Sequence, residues 1–269
     1  YAEKYESYNF HFNLTFALTR IGNQSAREYL YRLLGSEFPE VRALACRALG
    51  RIAAEDDQAY LVRRFYDDDS RVVCEAIRAS SKLKTDKIAA ALVKILRNTK
   101  DRTDKERRAA ATALGNIGGL RSTQALSTTI TAAGFGLKGD ILNAIGEIGS
   151  GRGFRIIEDH TNHTNWYIRS QSARALGKVD DRDAVRLLME MSTDRDWRVI
   201  LEVIFALEKA GIETAEGFLL STLSSSKNPY LRAAAAEVLG STKDKKYAEI
   251  LIKNFPATVE NTDFDFARG

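Results

Sequence analysis

The sequence predicts an all-α chain of stacked antiparallel helix pairs, and three observations predict it. One short pattern returns along the whole chain. Its steps are close to 31 residues. Its apolar positions fall three and four residues apart, the spacing of one helix face. The pattern reads Arg-x-x-Ala-x-x-Ala-Leu-Gly-x-Ile, clearest at Arg42, Ala45, Ala48, Leu49, Gly50 and Ile52. It returns at Arg107, Ala110, Ala113, Leu114, Gly115 and Ile117, and at Arg169, Ser172, Ala175, Leu176, Gly177 and Val179. A fourth clear copy is Arg232, Ala235, Val238, Leu239 and Gly240; weaker ones surround Ser81, Gly146 and Glu208, and a degenerate first copy lies at Ala17, Leu18, Thr19 and Ile21.

Aligned on the glycine, the copies sit at 19, 50, 81, 115, 146, 177, 208 and 240, with steps of 31, 31, 34, 31, 31, 31 and 32. Extra residues in the polar stretch from Asn98 to Glu106 account for the longer step. The second helix of each unit carries the pattern, with alanine where neighbouring helices come close. The first helix is read from Ala26–Leu34, Lys87–Leu96, Ala184–Met191 and Tyr247–Asn254, and Ser25 with Glu28 has capping-box spacing. Gly50, Gly115, Gly146, Gly177 and Gly240 are expected near helix ends, where glycine accepts left-handed geometry. Polar links such as Asp67–Ser70 and Ser225–Pro229 join the helices, and no stretch alternates as a strand would.

One helix pair cannot bury both of its apolar stripes, so pairs stack and each touches mainly its neighbours. The expectation is a curved, right-handed α-α superhelix of about eight pairs and 16 helices over residues 1–255. Residues 256–269 break the pattern and read either as a cap, with Phe264 and Phe266 as plugs, or as a linker. Among 269 residues, 44% are hydrophobic and only 3 are proline, which fits a packed core and excludes a disordered or loop-rich chain. No apolar run approaches the roughly 20 residues that span a bilayer. The first residue is Tyr1 and no signal segment follows, so the chain reads as a piece of a longer protein or a processed form, with its compartment open.

The repeat resembles the HEAT family, especially the short HEAT-like repeats of phycobilin lyases, over roughly residues 10–254. The resemblance implies that the second helices line the inner, concave surface and that the array binds proteins. It also implies that motif arginines bond the inter-helix turns; a ligand contact is the other reading of those arginines. In bacterial proteins such arrays often accompany catalytic domains, so an activity could lie outside the chain.

Residues three before the glycine should point away from the core: Phe16, Arg47, Arg78, Thr112, Asn143, Arg174, Phe205 and Glu237. With Arg51, Arg71, Arg108 and Arg198 nearby, they predict a partly basic groove that attracts an acidic protein segment or a phosphate backbone. Arg47, Arg78, Arg174, Phe205 and Trp197 are the candidate partner-binding residues, with Trp166 a further exposed-aromatic candidate. Against this stands an ordinary solvated face on a chain whose net charge is only +4.

No active site is read. His160 and His163 with Asp159 lack the further ligands a metal needs, and the His-Glu pairs of deoxyhypusine hydroxylases are missing: Phe12, Thr161 and Thr164 follow the histidines. Cys46 and Cys74 read as small buried hydrophobes. No cofactor is expected. The reading is a non-enzymatic scaffold, part of a larger protein, that holds a protein partner. A bilin lyase or lyase subunit is the alternative. A nucleic-acid binder, for which Asp196, Trp197 and Arg198 partly resemble the alkylpurine DNA glycosylases, stands third.

Overall fold

The computed structural model describes residues 2–21, 26–52, 54–210 and 212–254. All regular structure among them is helical, in sixteen α-helices. The chain divides into two compact units, Tyr1–His160 and Thr161–Gly269. The first holds α1 (Ala2–Ile21), α2 (Arg27–Leu33), α3 (Pro39–Ile52), α4 (Asp57–Arg63), α5 (Ser70–Ser80), α6 (Asp86–Arg97), α7 (Asp104–Ile117), α8 (Gly119–Thr129), α9 (Phe135–Ile148) and α10 (Gly151–Glu158). The second holds α11 (Trp166–Leu176), α12 (Arg182–Met191), α13 (Trp197–Ala210), α14 (Ile212–Ser225), α15 (Pro229–Ser241) and α16 (Lys246–Asn254). The odd-numbered helices carry the repeated pattern.

In the first unit the motif helices form one layer, α1 on α3, α3 on α5, α5 on α7 and α7 on α9. A second layer runs beside it, with α4 on α6, α6 on α8 and α8 on α10. In the second unit α11 packs on α13 and α13 on α15, while α12, α14 and α16 flank them. The pattern explains the packing: Ala45, Ala48, Leu49, Ala110, Ala113, Leu114, Ala175, Leu176, Ala235 and Leu239 are all buried. The longer repeat step also has its cause. The link 98–103 has three more residues than the link 67–69, and the Asn98 side chain folds it by accepting from the N–H groups of Lys100 and Asp101.

Helix starts are set by side-chain caps. Asp69, Thr85, Thr103, Ser150, Asn165, Asp181 and Asn228 each accept from a backbone N–H of the first turn. Thr103 and Glu106 complete a capping box, whereas Ser25 lies outside the described residues.

The pattern glycines correct the sequence reading. Gly50, Gly115, Gly146 and Gly240 lie inside helices, and Gly177 ends α11 in right-handed geometry. Left-handed ends fall instead to Gly118 and Gly149, at φ 76° and 65°. The glycine column answers to space. A Cβ at Gly50 would lie 2.7 Å from Ala79, at Gly115 2.7 Å from Ala144 and at Gly177 2.7 Å from Ala206, each on the next motif helix. Hydrogen is the only side chain that these crossings accommodate.

The motif arginine takes its structural reading. Arg42 is nearly buried and grips Asp67 through two bonds of 2.9 and 2.6 Å, reaching also Asp68 and the carbonyl of Ser36. Arg169 repeats this on Asp194, at 2.6 and 2.8 Å, and on the carbonyl of His163. Each guanidinium thus fastens the link after the next helix to the link before its own. Burial works to raise the pKa of Asp67 and of Asp194, but hydrogen bonds from the arginine and from a backbone N–H outweigh it and hold both below the usual carboxylate range. Among the described residues, Arg107 and Arg232 find no such carboxylate and bond the carbonyls of Leu96 and Ser226.

Gly115→Val should lower the unfolding free energy by about 1–3 kcal/mol in urea titrations. Gly240→Val, where an added Cβ meets nothing within 4 Å, should stay within about 0.5 kcal/mol of the parent. Arg169→Met takes the counter-charge from the half-buried Asp194 carboxylate, and should cost about 3 kcal/mol at neutral pH. Because the Asp194 carboxyl is depressed in the folded state, its contribution is present above the ordinary aspartate range and lost as pH falls through the depressed value. The gap between variant and parent should therefore shrink on acidification, and a constant gap would rule the clamp out.

Candidate functional site

In the first unit the exposed side of the motif layer carries Phe16, Arg47, Arg78 and Thr112, with Asn143 half-buried. The arginines are not a bare basic patch. Arg47 on α3 reaches across to Glu75 on α5 at 3.0 Å, and Arg78 donates to the same carboxylate at 2.6 Å. Arg108 on α7 bonds Asp140 on α9 at 2.6 Å, and Arg71 joins Glu40 at 2.8 Å. A ladder of ion pairs therefore crosses this face from helix to helix. Such exposed pairs add little stability, about 0–1 kcal/mol each, and can exchange with an outside anion.

Between these pairs lies a trough of about 500 Å³, lined by Arg78, Lys82, Lys105, Arg108, Asn116 and Asp140 among others. A neighbouring groove of about 370 Å³ shares Arg78 and Lys105 with it and adds Phe12, Ala43 and Leu44. Lys82 and Lys105 escaped the sequence reading, which followed the column three before the glycine and the arginines near it. Lys82 stands one after its reference position, like Arg51, Lys178 and Lys209, and Lys105 is the second residue of its helix, like Arg71 and Arg198. Those two columns held the missing signal.

The second unit holds the other candidates. Arg174 on α11 pairs with Glu202 on α13, and Phe205 is half-buried. Trp197, the first residue of α13, is exposed and stacks on Tyr230 of α15, with ring centres 5.4 Å apart and planes 17° apart. Arg198 lies over the Trp166 ring at 3.4 Å and is held there by Asp196. Trp166 is half-buried beneath that guanidinium. Trp197 and Phe205 are eight residues apart on one helix, about 12 Å along its axis, and form separate features. Tyr230 was not foreseen, because the alignment puts Pro229, not Tyr230, beneath Trp197.

Neither histidine joins a metal cluster, and no group of three or more ligating side chains exists among the described residues. The imidazole of His160 bonds the carbonyl of Ile156, and that of His163 accepts from the N–H of Asn165. Both cysteines are buried; desolvation pushes the Cys46 thiol up to about 12 and raises that of Cys74, so neither is a ready nucleophile. Charge and aromatic surface are what this geometry offers.

No helix among the described residues is long and apolar enough to cross a membrane. Among curated proteins, none matches this sequence. Solved structures share its fold. Escherichia coli YibA is 16% identical over 90% of this chain and 90% of its own, with a TM-score of 0.54. The CpcE–CpcF complex of phycocyanin lyase from Nostoc sp. PCC7120 is 17% identical over 85% of this chain and 94% of the other, at 0.52. Kap95p, solved with RanGDP, is 13% identical over 87% of this chain and 36% of its own, at 0.55. Residues 106–128 match the PBS lyase HEAT-like repeat. The HEAT repeats model matches residues 4–80, 136–208 and 187–260, well over half the sequence, and the chain belongs to the HEAT-repeat family.

Proposed function

We propose that this chain is a non-enzymatic scaffold that holds a protein partner along the exposed side of its motif helices, and that the partner presents an acidic segment. One observation carries the reading. The exposed positions of that side hold arginines, lysines and aromatic rings in excess over acids, the residue types that anchor interfaces. The ion-pair ladder adds specificity: an incoming carboxylate must replace Glu75, Asp140 or Glu202 on an arginine that is already oriented. Solenoids of this fold hold proteins in the CpcE–CpcF and Kap95p–RanGDP complexes, which supports the assignment. A second reading, a lyase subunit acting on a bilin-bearing protein, draws on the repeat match at 106–128.

A glutamate-rich 12-residue peptide tests the first reading. Its affinity should fall steeply with salt, and reversing Arg47, Arg78 and Arg174 to glutamate should weaken it at least about 10-fold and flatten the salt dependence. Unchanged affinity and slope in the triple variant would reject the face as the binding surface. The lyase reading expects a new visible absorbance band on an acceptor protein co-expressed with this chain and a bilin, where the scaffold reading expects none.

A further inference from the structure

We infer that the trough between α5, α7 and α9 is a phosphoryl-binding site, and that its occupant is a phosphorylated serine or threonine in an extended segment of the partner. The inference rests on the scaffold reading and deepens it. Four cations, Arg78, Lys82, Lys105 and Arg108, line about 500 Å³ against one carboxylate, Asp140. Lys82 sits in the short 3₁₀ turn that follows α5, and Lys105 in the first turn of α7. Both are exposed, and neither takes part in an ion pair among the described residues. Arg78 is anchored by one nitrogen, Nη1, on Glu75 at 2.6 Å. The Asn116 amide adds a polar group to the wall.

The charge count selects the ligand. A lone carboxylate entering this trough brings one charge, which can balance one of the two unpaired lysines and leaves the other uncompensated. A phosphoryl group brings nearly two charges and three acceptor oxygens, enough to engage the two lysines and Arg78 together. Charge-assisted bonds of that kind are the strong ones.

The surroundings select a peptide over a polynucleotide. Glu75 and Asp140 bound the cations along the stack, and Glu147 lines the adjoining groove with Lys82 and Lys84. A nucleic acid would carry its next phosphates onto these carboxylates, whereas its binding requires a continuous basic track. A peptide has one phosphoryl group to place. Its flanking residues can run into the adjoining groove, where Phe12, Ala43 and Leu44 offer an apolar floor.

Calorimetry with a Gly/Ser/Leu 12-residue peptide bearing one central phosphoserine tests this, beside the same peptide with serine or glutamate there, the glutamate-rich peptide, inorganic phosphate and oligo-dT. The phosphopeptide should bind at least about 10-fold tighter than the serine and glutamate forms. A Lys82→Ala/Lys105→Ala double variant should remove that advantage without changing the melting temperature, and Lys94→Ala on α6 should change nothing. Equal binding of the phosphoserine and glutamate peptides overturns the inference while the acidic-segment reading stands. If no peptide binds, both fall. Inorganic phosphate binding as tightly as the phosphopeptide, oligo-dT binding more tightly than it, or a double variant that keeps the advantage each overturns the inference alone.

Discussion

Adjacent motif helices meet where a glycine of one lies against an alanine of the next: Gly50 on Ala79, Gly115 on Ala144 and Gly177 on Ala206. Side chains of hydrogen and methyl let the two backbones approach closely, and the larger aliphatics then fill the space around the crossing. The exposed arginines inherit that spacing. Arg47 reaches Glu75 and Arg174 reaches Glu202, each 28 residues further on, because the next helix stands within one side chain's length. A wider separation would leave the same residues as isolated solvated charges.

Perpendicular to this contact, the buried arginines organise the links. Arg42 and Arg169 each hold a carboxylate of the following link and a carbonyl of the preceding one. Removing either partner would strand a charge away from water, so these clamps fix register more than they add net stability. The two devices divide the work. Small residues set the distance between motif helices, and the two clamps fasten successive links to each other.

The architecture was legible in the sequence because a helical period of 3.6 and a repeat near 31 residues are both one-dimensional signals. The exposed arginines were legible for the same reason, as was the burial of Cys46 and Cys74. Lateral relations were not. The repeat shows that Arg47 and Glu75 fall in neighbouring units, but not that their side chains touch. The glycine column was misread as left-handed because flexibility and small size leave the same letter in a sequence. Here Gly118 and Gly149 supply the first property and Gly50 and Gly115 the second. Lys82 and Lys105 were missed because they flank the tracked column and meet in one trough only through the stacking of α5 on α7.

Clamping is uneven along the chain, and that unevenness falls where the cations gather. Arg107, which opens the motif of α7, holds a lone carbonyl where Arg42 and Arg169 hold carboxylates. In a nearly one-dimensional stack, a repeat with weaker fastening is a natural place for local opening. The same helix contributes Lys105 and Arg108 to the trough. An anion seated there would tie α7 to its neighbours from the outside and raise the free energy of that opening by its own binding free energy. Occupancy would then be felt as slower amide exchange in α7, so that a weakly clamped joint doubles as a gauge of ligation.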